Sequence, residues 1–175
     1  MDAVARAEGI GSRQFRDAMG RFATGVTVVT VEVDGEIFGM TANAFMAGSL
    51  TPPLCMVCID HGARMHARLT AARRFGVSFL SEHQVDLAQH FAGRPVAGLH
   101  PHFHRLGDLP VLAASVGAVA ADVVRTAACG DHTIFIGEVV GFTVEDRDPL
   151  LFFRGRYASL DHEQRLQKIA VESFW

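Results

Sequence analysis

A tight-turn signal, Asp34-Gly35, sits between two short runs of strand character, and this arrangement limits the fold more than any other feature. Residues 26–33 are rich in Val and Thr, and residues 37–41 form the return run. β-Branched residues suit a pleated, half-buried surface, and Asp-Gly supplies the left-handed backbone of a two-residue hairpin. A second turn signal, Gly130-Asp131, separates residues 116–124 from the long run 134–144. Residues 54–59 and 75–80 add two more apolar runs, and 150–153 is a candidate short last strand. The run 54–59 is apolar enough to be buried on both faces. Strands outnumber helices and are joined by tight turns, which predicts a mainly β chain: an antiparallel sheet closed as a barrel, with a few peripheral helices.

Helical periodicity is confined to short stretches. Phe15, Met19 and Phe22 predict an amphipathic helix over residues 13–22, with Ser12 as N-cap and Gly25 as its end. Residues 63–72 form a second helix with Met65 and Leu69 inward. Ser81 and Gln84 have the spacing of a capping box and open a third, which runs through Phe91 and stops at Gly93-Arg94-Pro95. Residues 95–109 read as a loop. The expected organisation is a mobile N-terminus (1–11), one domain (12–160) and a C-terminal helix or tail (161–175) capped by Asp161 and ending in Phe174-Trp175. A chain of 175 residues suits one domain with a sizeable core. At 49% hydrophobic and 20% charged it is globular, and a net charge of −3 with mixed signs argues against nucleic acid as the main partner. No apolar run reaches membrane-span length and the N-terminus has no apolar signal core, so a cytoplasmic location is expected.

Four stretches carry chemistry. Gly39-Met-Thr-Ala-Asn-Ala-Phe45 is built of small and short polar residues. It reads either as a strand end entering a polar loop or as backbone that a ligand approaches closely. His132, after the Gly130-Asp131 turn, is either a hairpin-turn histidine or a ligand-facing group at a barrel mouth. His100, His102 and His104 alternate along the chain, yet Pro101, Gly98 and Gly107 favour ordinary loop histidines, and no metal is expected. Arg154-Gly-Arg-Tyr157 is an exposed basic turn or the rim of a site for an anionic cofactor. Cys55 and Cys58 would point to opposite faces of a strand, which suits core thiols better than a redox pair. No Gly-x-Gly-x-x-Gly joins a strand to a helix, so a dinucleotide would be bound without that device.

Taken together, Arg21-Phe-Ala-Thr-Gly-Val-Thr-Val-Val-Thr30, the Gly39–Phe45 stretch, Ser49-Leu-Thr-Pro-Pro-Leu54, Phe75-Gly-Val-Ser-Phe-Leu80, Gly130-Asp-His-Thr-Ile-Phe-Ile-Gly-Glu138 and Pro149-Leu-Leu-Phe-Phe-Arg-Gly-Arg-Tyr157 resemble, in order, the flavin reductases with an FMN-binding split barrel. The resemblance runs from Phe15 to Leu160. It implies a six-stranded antiparallel Greek-key split β-barrel, a homodimer, and reduction of FMN or FAD by NADH or NADPH. The reduced flavin then diffuses to a partner monooxygenase. On this resemblance Thr41, Ala42 and Asn43 line the flavin ring, with Ser49 close by. Asp60, His61 and Arg64 after the third strand, and Phe79, Ser81 and Gln84 after the fourth, hold the ribityl and phosphate. Tyr157 and Arg154 close the site, and His132 stands near the nicotinamide as the catalytic residue. Two departures stand out: Ala44 replaces a serine, and the loop Asp60-His-Gly-Ala-Arg-Met-His66 lacks the usual hydroxyl residues beside its basic group. The alternative is a non-catalytic flavin- or tetrapyrrole-binding protein of the same fold. The apolar strand 54–59 and Phe174-Trp175 independently call for more cover than one small barrel offers, which also points to a homodimer.

Overall fold

The computed structural model describes residues 9–161. The predicted C-terminal helix and nearly all of the predicted mobile N-terminus lie outside them. The elements in chain order are α1 (Ser12–Met19), β1 (Thr24–Gly25), β2 (Thr27–Val33), β3 (Glu36–Ala42), β4 (Phe45–Leu50), β5 (Pro53–Asp60) and α2 (Arg64–Ala72). They continue with β6 (Arg74–Phe79), a 3-10 turn (Glu82–Gln84), α3 (Val85–Phe91), β7 (Phe103–Leu106), β8 (Leu109–Leu112), β9 (Gly117–Cys129), β10 (His132–Val144), β11 (Leu151–Phe153) and β12 (Arg156–Ala158).

β2 and β3 form the hairpin that Asp34-Gly35 signals, and both turn residues are left-handed (φ 53° and 80°). The main sheet has seven antiparallel strands in the order β3-β2-β6-β9-β10-β5-β4. Its edge strands, β3 and β4, are joined by Asn43-Ala44 but do not pair, so the sheet is open between them. It nevertheless curls: Phe45 on β4 packs on Phe79 of β6, with ring centroids 5.0 Å apart. Val29, Val31, Val57, Ile59, Phe75, Val77 and Phe135 share one buried cluster, to which α2 adds Met65 and Leu69. Leu69 is fully buried; truncating such a leucine costs about 2–5 kcal/mol. A three-stranded sheet, β1-β11-β12, lies apart. Its β11–β12 hairpin turns on Arg154-Gly155, both left-handed (φ 50° and 76°). A second buried cluster, with Val26, Val28, Leu80, Ala88 and Leu150, fixes this sheet and α3 to the first. Among the described residues no helix is long and apolar enough to cross a membrane.

Several expectations change. α1 starts after Gly11, not on a Ser12 cap, and ends at Met19, where the Gly20 N–H bonds Arg16 O at 2.8 Å. Gly25 instead belongs to β1. The apolar stripe of α1 is not buried: Phe15, Met19 and Phe22 are exposed. β5 buries one face only, through Cys55, Val57 and Ile59, and leaves Leu54, Met56 and Cys58 half-buried. β4 falls where a loop was expected. The stretch 95–109 is not all loop, since it contains β7 and the start of the buried strand β8. The capping box forms as predicted between Ser81 and Gln84.

Candidate functional site

The link between β3 and β4 is the centre of a groove. Thr41 Oγ1 donates to the carbonyl of Ala88 (2.7 Å) and so ties the end of β3 to α3. Thr27 Oγ1 donates to Ala42 O (2.7 Å) and holds the strand end from the other side. These bonds leave Asn43 at the apex, exposed, its amide without a partner among the described residues. Three adjoining cavities meet at Asn43. One of about 320 Å³ is lined by Thr41, Ala42, Gln89, Arg94, Phe152 and Tyr157. Another of about 430 Å³ is lined by Phe22, Thr24, Phe45, Phe79 and Leu150. The third, about 660 Å³, runs between α1 and the β11–β12 turn. The Thr24 hydroxyl, on the wall of the second cavity, is buried without a hydrogen-bond partner among the described residues. Leaving such a group unpaired costs about 1–3 kcal/mol, which an acceptor on a ligand would relieve.

A second polar cluster forms where β5 ends and β10 begins. His132 pairs with Asp60 across the strands, and its Nδ1 lies 2.7 Å from Asp131 Oδ1. An ionised carboxylate only accepts, so Nδ1 carries the proton and Nε2 of the neutral ring is left as an acceptor. The hydrogen bond from His132, then one from a backbone N–H, hold the Asp131 carboxyl below its ordinary range. Asp60 Oδ1 accepts from Gly62 N at 2.6 Å and shapes the turn. Nε2 of His61 and of His66 both meet Thr133 Oγ1, at 3.0 and 2.9 Å. A hydroxyl donates once, so at least one imidazole donates to it. Among the described residues, Asp60, Asp131 and His132 are the one trio of such groups at metal-ligand spacing, their ligand atoms all within 4.8 Å. His100, His102 and His104 are exposed and form no such group.

The structure therefore divides the residues singled out from sequence. Thr41, Ala42, Asn43, Phe79, Arg154 and Tyr157 line the joined cavities. Asp60, His61 and His132 form the second cluster, with Arg64 exposed at the start of α2. None of these four lines the groove. The two regions adjoin through Cys58 N, which donates to Ala44 O at 3.1 Å. Ser49 lies towards the other end of β4, its Oγ accepting from Thr51 N at 3.2 Å. Ser81 and Gln84 are buried in an interior network. Gln84 Nε2 donates to Ala113 O (2.7 Å), and its Oε1 accepts from Ser81 N (3.0 Å) and Ser115 Oγ (3.3 Å). Gly39 serves packing rather than ligand approach, because a Cβ there would lie 2.5 Å from the Phe91 ring of α3. Sequence reasoning passed over Thr24, Gln89, Arg94 and Phe152. Thr24 lay inside a quoted motif, yet only the pairing of β1 with β11 shows which way the segment faces. Cys55 is buried and its thiol pKa is pushed up to about 11.

Known proteins resemble this chain over most of its length. A family model described as "Flavin reductase like domain" matches residues 19–161. The NADH-dependent FAD reductase of Streptomyces globisporus is 41% identical over 152 residues, covering 82% of this chain and 83% of that protein. The reductase component of 4-hydroxyphenylacetate 3-monooxygenase from Thermus thermophilus is 38% identical, covering 83% of this chain and 95% of its own. The solved structure of flavin reductase PheA2 in its native state superposes with a TM-score of 0.85 at 43% identity, over 87% of this chain and all of that one. The chain belongs to the flavin reductase like domain family.

Proposed function

We propose that this protein is an NAD(P)H-dependent flavin reductase that reduces FMN or FAD and supplies the reduced flavin to a separate monooxygenase. The observation that carries the reading is the groove at Asn43. It pairs an unpartnered amide and a buried, unpartnered Thr24 hydroxyl with aromatic walls from Phe45, Phe79, Phe152 and Tyr157. A flat heteroaromatic ring with carbonyl and N–H groups along one edge fits that donor set. When bound, flavin takes up hydride from a nicotinamide, so the reaction's chemistry belongs to the ligands. The protein's part is to bind and align. Asn43 and adjacent backbone N–H groups face the polar edge of the ring, and the aromatic side chains hold its faces. Thr41 and Thr27 have already donated their hydroxyl protons to Ala88 O and Ala42 O, and so fix the backbone that does the binding.

His132 orients the nicotinamide. With Nδ1 tied to Asp131, its Nε2 is an acceptor suited to a carboxamide N–H. Hydride transfer is steep in distance, so a small loss of alignment is costly. Asp60, His61 and Arg64 supply polar contacts to the ribityl-phosphate part. The curled sheet, open between β3 and β4, supports a Greek-key split barrel, with seven strands in the main sheet rather than six. Half-buried and exposed apolar residues on the outer face of β4, β5 and β10, including Met46, Met56, Ile136 and Phe142, support an isologous homodimer. The test is steady-state oxidation of NADH and NADPH by the purified protein with FMN, with FAD and with neither. Turnover dependent on added flavin is expected. A coloured protein as isolated that oxidises neither nucleotide would support the binding-protein alternative instead.

A further inference from the structure

We infer that the cavity between α2 and the β9–β10 hairpin binds a small oxyanion, inorganic phosphate or a short carboxylate. At about 210 Å³ the cavity is smaller than pockets for drug-sized ligands and suits an ion. None of its lining residues lines the three cavities that meet at Asn43. Strand register accounts for the separation. Thr133 and Phe135 stand two apart on β10, and Thr126 pairs with Phe135 across the hairpin, so all three share one sheet face. His132 is on the opposite face. Buried Leu69 of α2 and Phe135 supply the apolar walls.

The polar lining consists of Arg73, His66, Thr70, Thr126 and Thr133, with no Asp or Glu. Arg73 is pinned at three points. Its backbone N–H donates to Leu69 O (2.9 Å), its carbonyl accepts from Val123 N (2.8 Å) and its Nη2 donates to Val123 O (2.9 Å). It closes α2 with a left-handed φ of 54°, which a non-glycine residue rarely adopts. Val123 adjoins a register shift in the β9–β10 pairing, the kind of bulge that re-aims side chains. The guanidinium so held has no ion-pair partner among the described residues, whereas that of neighbouring Arg74 is paired with Asp122. Its remaining N–H groups suit the oxygens of a phosphate or carboxylate. The Thr70 hydroxyl is spent on His66 O (2.8 Å), while that of Thr126 has no partner among the described residues. Thr133 Oγ1 can accept from His61 and His66 together, which turns its own proton to the ion. An ion bound here bridges α2 to both strands of the hairpin.

The test is thermal melting of the full chain in inorganic phosphate, in propionate and in chloride, at matched pH and ionic strength, beside calorimetric titration with the first two. Wild type is compared with Arg73→Gly and Thr126→Val. Glycine suits the left-handed cap and valine suits a strand, so both variants are expected to fold. Phosphate strengthens burial in any protein, so the readout is the difference between wild type and variant. At ten times the dissociation constant, wild type should gain about 3–6 °C in Tm over chloride that Arg73→Gly does not gain. Thr126→Val should bind the ion about threefold more weakly. A response to phosphate alone identifies a tetrahedral ion, and a response to propionate alone identifies a carboxylate. Equal responses of wild type and Arg73→Gly to both ions would overturn the site. FMN affinity in Arg73→Gly is expected to stay within about twofold of wild type. A loss of FMN affinity as large as the loss for phosphate would also overturn the inference, because the cavity would then belong to the flavin site.

Discussion

Replacing Gln84 with alanine separates a structural role from a ligand-binding one. The residue is 7% exposed; two of its side chain's three hydrogen bonds join the start of the α3 region to the segment 113–115, and the third holds Ser81 N. Alanine leaves the Ser81 N–H and the Ala113 carbonyl without these partners. Ser115 keeps its bond to Leu112 O (3.2 Å) and is not orphaned. Each of the two buried groups left unpaired costs about 1–3 kcal/mol, so the loss centres on about 4 kcal/mol. For a domain of this size that is a fall in Tm of roughly 8–16 °C. Gln84→Glu keeps an acceptor for Ser81 N but loses the donor to Ala113 O and buries a charge. It should therefore be destabilised most at neutral pH and recover in part as the pH falls and the carboxyl protonates. Differential scanning calorimetry measures both, and a flavin titration on the folded protein reads affinity separately. A Gln84→Ala protein that melts within about 2 °C of wild type but has lost flavin affinity would refute the reasoning and put this side chain in the ligand site.

Other consequences can be checked in the same way. Gly39→Ala should drive the Phe91 ring from its place, cost about 1–3 kcal/mol less a small gain from the stiffer unfolded chain, and weaken flavin binding by shifting α3 with Gln89; melts and titrations follow both effects. Thiol labelling at pH 8 should modify exposed Cys129 first and leave Cys55 almost untouched, since a pKa of about 11 leaves roughly one thiolate in a thousand there; mass spectrometry of the labelled protein shows the order. The Asp131 carboxyl is held below its usual 3.8, so its contribution to stability is present above that pH and is lost as pH falls through the lower folded value. Asp131→Asn should accordingly flatten the acid limb of stability against pH, measured by melts across that range.

The elements legible in the sequence were those set by local chemistry. Asp34-Gly35 dictated the β2–β3 hairpin, and Ser81 with Gln84 dictated the capped turn before α3. β4 was hidden because Ala47, Gly48 and Ser49 have little strand propensity; the partner strand β5 decides their conformation. The β7–β8 hairpin was hidden by Pro110 and by the histidines around it, and its burial comes from contacts far away in sequence. Thr30 Oγ1, for example, donates to Pro110 O from β2. The same division holds at the site. Asn43 could be picked out because its neighbours are small, but the walls of the groove could not. They depend on the two-residue pairing of β1 with β11, which sets segment 22–26 beside Phe152 and Arg154. Gly39 shows the opposite error: a glycine in a motif suggested ligand contact, and a phenylalanine from α3 fills the space.

Anaerobic stopped-flow mixing of the protein and flavin with NADH or NADPH tests the central claim most directly. Loss of the oxidised flavin absorbance far faster than in protein-free mixtures, with FMN or FAD and at least one nucleotide, is the predicted result. Bleaching no faster than without protein, for both flavins and both nucleotides, would contradict it.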